Sequence, residues 1–246
     1  MKRTMLCFTA LLLVSFAHAA KYDLGSPRLA LIDDPVQVQF QGGAEASKEK
    51  FRQAIAFITA SKDWSIASES DGRMELTRTV RGQHFVKVEL TYDPRGFRVR
   101  YLESTNLLYE NLKRSSATLR VIHKNYNSWI RDLVSGISAG AGVPGKRIIG
   151  FAPLEQIDAV PFLKDRGREA YKHFLTKPMP RAFAIAPSGA FGLSNPSAQG
   201  SYQVDSRFSY RDQFDAVESA MDDCNSRAQG ACKLYAIDDH VVWTEP

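Results

Sequence analysis

The stretch RMELTRTVRGQHFVKVELTYDPRGFRVRYL, residues 73–102, decides the fold. Val86, Val88, Leu90 and Tyr92 alternate with Lys87, Glu89 and Thr91, and Phe97, Val99 and Tyr101 alternate with Arg98 and Arg100. A period of two is the mark of strands with one dry face and one wet face. Gly82 and the run Asp93-Pro94-Arg95-Gly96 supply turn chemistry between them. Upstream, residues 64–70 follow the same period and close at Asp71-Gly72, so residues 64–102 predict a four-stranded antiparallel meander.

Before the meander, VQVQF (residues 36–40) alternates strictly and is stopped by Gly42 and Gly43. Ser47 then stands where an N-cap belongs, with Glu49 in the first turn and Phe51, Ala54, Ile55 and Ile58 on one helical face. After the meander, Ile122, Tyr126, Trp129, Leu133 and Ile137 recur at helical spacing. Residues 20–135 therefore predict an α+β unit, an antiparallel sheet of four to five strands covered on one side by two helices.

The run SGISAGAGVPGKRIIG, residues 135–150, holds five glycines and a proline. Such composition predicts a flexible linker over residues 136–150. Residues 151–246 then predict a second, smaller α+β unit. Residues 151–176 read as helical pieces broken near Pro161, and residues 181–186 and 190–193 as a hairpin around Pro187-Ser188-Gly189. Ser209 and Asp212 form a capping box for a helix carrying Phe214, Val217, Met221 and Cys224. Residues 232–237 and 240–244 are two strands joined at Asp238-Asp239, which completes a ββαββ order.

Lys2 and Arg3, an apolar run over residues 5–16, and Ala17-His18-Ala19 have the order of a signal peptide spanning residues 1–19. The apolar run is too short for a bilayer-crossing helix. Cys7 lies inside that run after Leu6, not at a cleavage point, so it is no lipid acceptor. The expectation is a soluble exported chain with no transmembrane segment in its mature part. Without Lys2 and Arg3 the charge is about +3, from 30 basic and 27 acidic residues, an ordinary mixed surface rather than a nucleic-acid footprint. Export favours a disulfide between Cys224 and Cys232; two free buried thiols are the other reading, and a metal site would need more ligands than nearby His240.

Chemistry is sparse. His84, His123, His173 and His240 lack the spacing of a metalloprotease helix and read as surface or capping residues. The pairs Asp33-Asp34, Asp222-Asp223 and Asp238-Asp239 point apart as sequence neighbours. Ser188-Gly189 lacks the leading glycine of a nucleophile elbow. Arg73, Arg81, Arg98 and Arg100, with Arg78 near, suit an anionic glycan or lipid head-group. Glu75 and Glu89 are interleaved among them, which favours cross-strand ion pairing instead. Asn125, Tyr126, Asn127 and Trp129 could form a binding platform, though Tyr126 and Trp129 at i, i+3 fit a core better.

The segments GREAYKHFL (167–175), PRAFAIAPSGAFG (180–192) and CKLYAIDDHVVW (232–243) resemble a two-cysteine module of unknown function at the ends of exported proteobacterial proteins. The meander ending in IHKNYNSWIRDL (122–133) resembles uncharacterised envelope proteins and lipoproteins of the same bacteria. The resemblance implies a Gram-negative periplasmic location and implies no activity. The expectation is a non-enzymatic periplasmic binding or envelope-associated protein, without cofactor or metal, whose partner is another protein or an envelope polymer. The alternative is a cell-wall or lipid hydrolase whose site no short motif reveals.

Overall fold

The computed structural model describes residues 28–114, 117–194, 210–228 and 231–243. The expected signal peptide, its cleavage site, Cys7 and the capping box at Ser209 lie outside the described residues. In chain order the elements are β1 (Leu29–Leu31), β2 (Val36–Phe40), α1 (Lys48–Ser61), β3 (Trp64–Ser70), β4 (Arg73–Val80), β5 (His84–Asp93) and β6 (Gly96–Thr105). Then follow β7 (Glu110–Arg114), β8 (Ala117–His123), α2 (Asn125–Ala141), β9 (Gly145–Ile149), a 3-10 turn (Ile157–Ala159) and α3 (Asp165–Thr176). The last are β10 (Ala182–Ile185), β11 (Phe191–Leu193), α4 (Tyr210–Ala228), β12 (Lys233–Ile237) and β13 (His240–Val241).

The alternating run forms the centre of a six-stranded antiparallel sheet of order β3-β4-β5-β6-β2-β9. Its dry face presents Leu76, Val86, Val88 and Leu90, all fully buried against Ile55 of α1 and Ile130, Leu133 and Ile137 of α2. Each such side chain contributes about 1.5–3 kcal/mol on burial, so this face is the main source of stability in this half. Helix α1 starts where expected, because the Ser47 hydroxyl accepts the Lys50 N–H at 3.3 Å. Helix α2 stops at Gly142, whose φ of 68° is open to glycine without steric cost.

Three expectations need correction. The sheet has six strands, not four to five, and the glycine-rich stretch is not a linker. Residues 136–141 belong to α2, and β9 pairs along β2 from Gly145 opposite Phe40 to Ile149 opposite Val36. The glycines serve close packing rather than freedom. A Cβ on Gly140 would stand 2.6 Å from the Ala54 Cβ and 2.9 Å from its Cα, and one on Gly136 would meet Ile58 at 2.3 Å. The two helices approach closely because both positions lack a side chain. Ile122, expected on the helix, instead lies in β8, and β1, β7 and β8 form a three-stranded sheet of order β1-β8-β7 that the periodicity did not reveal.

The remaining sheet has the order β11-β10-β12-β13, so the strand and helix order expected for the C-terminal unit is observed. Strand β10 is buried on both faces. Ala182 and Ala184 face α4, where Phe214, Val217 and Met221 pack, while Phe183 and Ile185 face Tyr171 and Phe174 of α3. The small residues are on the α4 side, and Gly192 of β11 leaves no room there: an added Cβ would lie 2.1 Å from the Ala220 carbonyl oxygen.

Leu29, Leu31, Leu119 and Val121 of the three-stranded sheet share a core with α4 and β10. The apolar core thus crosses the expected boundary at residues 136–150. Gly150 also bridges in parallel to Val241 of β13. Among the described residues, no helix is long and apolar enough to cross a membrane.

Cys224, on α4, is bonded to Cys232, just before β12, with Cα atoms 6.0 Å apart. That separation is within the ordinary range for a disulfide. Two outcomes are expected. Replacing both cysteines by serine should lower unfolding free energy by about 2–3 kcal/mol, measured by urea titration of oxidised protein and the variant. Gly140→Ala should also lose up to about 2 kcal/mol, although alanine is the better helix former, because overpacking outweighs that gain.

Candidate functional site

Strand register sets the polar face of the six-stranded sheet. Arg73 of β4 lies opposite Thr91 of β5, Thr91 opposite Arg98 of β6, and Arg98 opposite Gln37 of β2. One row therefore reads Arg73, Thr91, Arg98, Gln37 across four strands. The neighbouring row reads Glu75, Glu89, Arg100. Directly opposed residues share a face, so all seven side chains stand on the side away from α1 and α2.

Glu75 and Glu89 oppose each other, a destabilising arrangement unless cations intervene. Arg73 supplies one through Nη2, 2.6 Å from Glu89 and 3.9 Å from Glu75. Lys87 stands 2.9 Å from Glu75, and Arg100 stands 3.0 Å from Glu89. The hydrogen bond from Lys87 holds the Glu75 carboxyl below the usual carboxylate range. Glu89 is only 8% exposed, so it acts as a buried anchor for two exposed guanidinium groups. Cross-strand pairing, the favoured reading from sequence, is observed.

Arg98 differs from its neighbours. Its Nη2 and Nε donate to Oε1 of Gln37 at 3.0 and 3.3 Å. Gln37 is itself buried, and its Nε2 donates to the Gly150 carbonyl at 2.6 Å. The amide is thereby turned so that its oxygen faces Arg98, which positions the guanidinium without neutralising it. An open cleft of about 630 Å³ passes Arg98, lined also by Gln37, Gln39, Thr91, Asp93 and Arg95.

The expected arginine set is only partly assembled. Arg73, Arg98 and Arg100 share the face. Arg81 is in the β4–β5 turn at φ 53°, eight residues along an extended strand from Arg73 and more than about 20 Å away. Arg78 is on the opposite face, its guanidinium 5.1 Å from the Trp129 ring centroid. Alternation already separates it, since residues 73 and 78 differ by an odd number. Gln37 and Thr91 were missed as partners, although the same alternation puts both on this face.

Of the aromatic and amide cluster, Tyr126 is fully buried in the core. Asn127 is a bridge: Oδ1 accepts the Asp33 N–H at 3.0 Å, and Nδ2 donates to the Leu31 carbonyl at 2.7 Å.

The histidines divide. His84 meets the Asn106 carbonyl at 2.9 Å, and His123 accepts the Asn125 N–H at 3.2 Å at the start of α2. His173 lies in the last turn of α3. His240 departs from the surface-or-cap expectation. Its ring is nearly enclosed, with Nε2 3.0 Å from Oδ1 of Asp33 and Nδ1 2.8 Å from Oδ1 of Asp239. The Asp33 contact is a directed hydrogen bond; the Asp239 contact is a close ion pair.

One residue from each of two aspartate pairs thus converges on a ring 207 positions away from the first. The other members turn elsewhere, as sequence neighbours must. Asp34 takes the Tyr101 N–H at 2.6 Å and Arg120 at 2.6 Å; burial nonetheless pushes its carboxyl above the usual range. Asp238 takes the Arg181 N–H at 3.0 Å, and burial pushes it up too. Arg181 then donates through Nη1 to the carbonyls of Phe174 and Lys177, which closes the C-terminus of α3.

Burial pulls the His240 pKa down, but the two carboxylates outweigh it and raise it to about 9. With both nitrogens engaged by anions, the ring is an imidazolium clamp rather than a base awaiting a proton. Asp33 and Asp239 stand on opposite nitrogens and so cannot close on a common ion. Among the described residues no group of three such side chains is arranged to hold a metal.

The clamp has a pH signature. A raised histidine pKa stabilises the fold fully below the unfolded value of about 6.5, and that contribution is lost as pH rises through about 9. Urea unfolding between these values should show a decline of up to about 3 kcal/mol in the parent protein. His240→Gln should be less stable at neutral pH and should lack that decline.

No family model matches the chain, and no curated protein or solved structure matches it either.

Proposed function

We propose that this chain is an exported, non-catalytic binding protein of the bacterial envelope, working in the periplasm on an anionic envelope polymer. The observation that carries the reading is the charge arrangement on the open sheet face. Arg73 and Arg100 share the carboxylate of Glu89, Arg73 also stands 3.9 Å from Glu75, and Arg98 has the neutral amide of Gln37. A surface built only for mutual ion pairing would match each cation with an anion; this one is left cationic at the Arg98 end. The disulfide suits an oxidising compartment. The hydrolase alternative would rely on His240, the histidine most strongly surrounded by carboxylates, and both of its nitrogens are already engaged.

Retention of the mature chain on immobilised dextran sulfate and on neutral dextran tests this. Retention by the sulfated matrix alone, released by salt as screening shortens electrostatic reach, is expected. The double variant Arg98→Gln, Arg100→Gln should elute several-fold earlier. Equal behaviour on the two matrices would overturn the proposal.

A further inference from the structure

We infer that the cleft over Gly96 seats one acidic sugar unit, a ring that carries a carboxylate beside free hydroxyls. This deepens the anionic-polymer reading above, rests on it, and makes the polymer a glycan. Gly96 of β6 lies opposite Asp93 of β5 on one side and Gln39 of β2 on the other. No side chain can stand between them, because a Cβ on Gly96 would lie 2.1 Å from the Val38 carbonyl oxygen. Two strand spacings, about 10 Å, therefore separate the Asp93 and Gln39 backbones across bare main chain. Arg98 is two residues along β6 from Gly96 and leans toward β2, where Gln37 holds it. Gln39 is on the same face of β2 as Gln37, so Arg98 leans to the Gln39 side of the gap. Asp93, Gln39 and Arg98 all line the one open cleft of about 630 Å³, a volume within the range of small-molecule sites.

The hydrogen-bonding capacity left in the cleft selects the ligand. Gln37 occupies the Nε–Nη2 edge of the Arg98 guanidinium, which leaves the Nη1–Nη2 edge to take a carboxylate through two hydrogen bonds. Asp93 accepts the Arg95 N–H through Oδ1 at 2.7 Å, which holds the carboxylate and leaves Oδ2 to accept from a ligand. Gln39 is exposed, and its amide can donate and accept at once. Among the described residues neither Asp93 nor Arg98 has a salt-bridge partner. A free carboxylate and a free guanidinium on one cleft require a ligand with hydrogen-bond donors as well as an anion. A phosphate chain offers Asp93 no donor and is repelled by it. A neutral sugar leaves the open edge of Arg98 without an anion. An acidic sugar satisfies both, with its carboxylate on Arg98 and its hydroxyls on Asp93 and Gln39. Buried Gln37 holds Arg98 in advance, so less side-chain freedom is lost on binding.

Calorimetry of the oxidised mature chain with trigalacturonate tests the seat, with maltotriose as the uncharged glycan and tripolyphosphate as the anion without hydroxyls. Saturable trigalacturonate binding is expected, with both comparisons much weaker. Arg98→Gln should weaken trigalacturonate by about tenfold or more, and Gln39→Ala by a few-fold, from loss of one charged or one neutral hydrogen-bond partner. Asp93→Asn keeps an oxygen for the Arg95 N–H and removes the charge. It should weaken trigalacturonate several-fold yet strengthen tripolyphosphate, a pair of opposite changes that loss of fold cannot produce. Arg81→Gln, far along the strand, should change neither, and circular dichroism should report the same fold for all four variants. Tripolyphosphate bound as tightly as trigalacturonate, or trigalacturonate binding indifferent to Arg98→Gln and Asp93→Asn, would overturn the seat. Retention on dextran sulfate would in that case leave the anionic-polymer reading intact. Maltotriose bound as tightly as trigalacturonate would overturn the acidic sugar, and absence of binding to every anionic probe would overturn both readings.

Discussion

Two sheets are joined by a four-residue step, Ile32 to Pro35, and the fold depends on how its two carboxylates are held. Strand β1 belongs to the three-stranded sheet and β2 to the six-stranded one, so the chain must change sheets between Leu31 and Val36. Asp33 turns one way, to His240 at the far end of the chain, and Asp34 turns the other, to Arg120 and the Tyr101 N–H. Asn127 of α2 fixes the backbone on either side of Ile32, through the Leu31 carbonyl and the Asp33 N–H. Buried carboxylates are tolerable only when each has such partners. The step therefore ties both sheets, α2 and the last hairpin to one short segment, and removing Arg120 or His240 would leave a carboxylate of the step without its cation.

The same constraint explains why the two halves share a core. With β1 committed beside β8, Leu29, Leu31, Leu119 and Val121 face α4 and are buried by it. The glycine-rich stretch then has no slack to provide. It supplies the close face of α2, the stop at Gly142 and the edge strand β9 within sixteen residues. Composition misled here because glycine has two uses. It confers freedom when nothing is near it and contact when something is, and the distances to Ala54 and Ile58 show the second.

The polar face of the sheet was legible residue by residue but not as an arrangement. Alternation puts Glu89, Arg98 and Arg100 on one side, and it would have excluded Arg78. What it omits is which strands adjoin. The pairing of β2 with β6 crosses sixty residues of sequence and brings Gln37 to Arg98, so a cation with a neutral partner arises from topology. The convergence of Asp33 and Asp239 on His240 is of the same kind. Each aspartate pair read as two divergent side chains, correctly, yet divergence within a pair is what lets each pair reach two different partners.

Local sequence determined the period-two strands, the Ser47 cap, the helical face of α1, the hairpins of the C-terminal unit and the proximity of Cys224 to Cys232. These depend on residues within a turn or two of each other, where backbone geometry and side-chain alternation suffice. Tertiary structure alone decided the sixth strand, the three-stranded sheet, the merging of the two cores, the clamp on His240 and the surroundings of Arg98. All of these turn on contacts between distant segments, whose free energy comes from burial and charge pairing that no local pattern encodes.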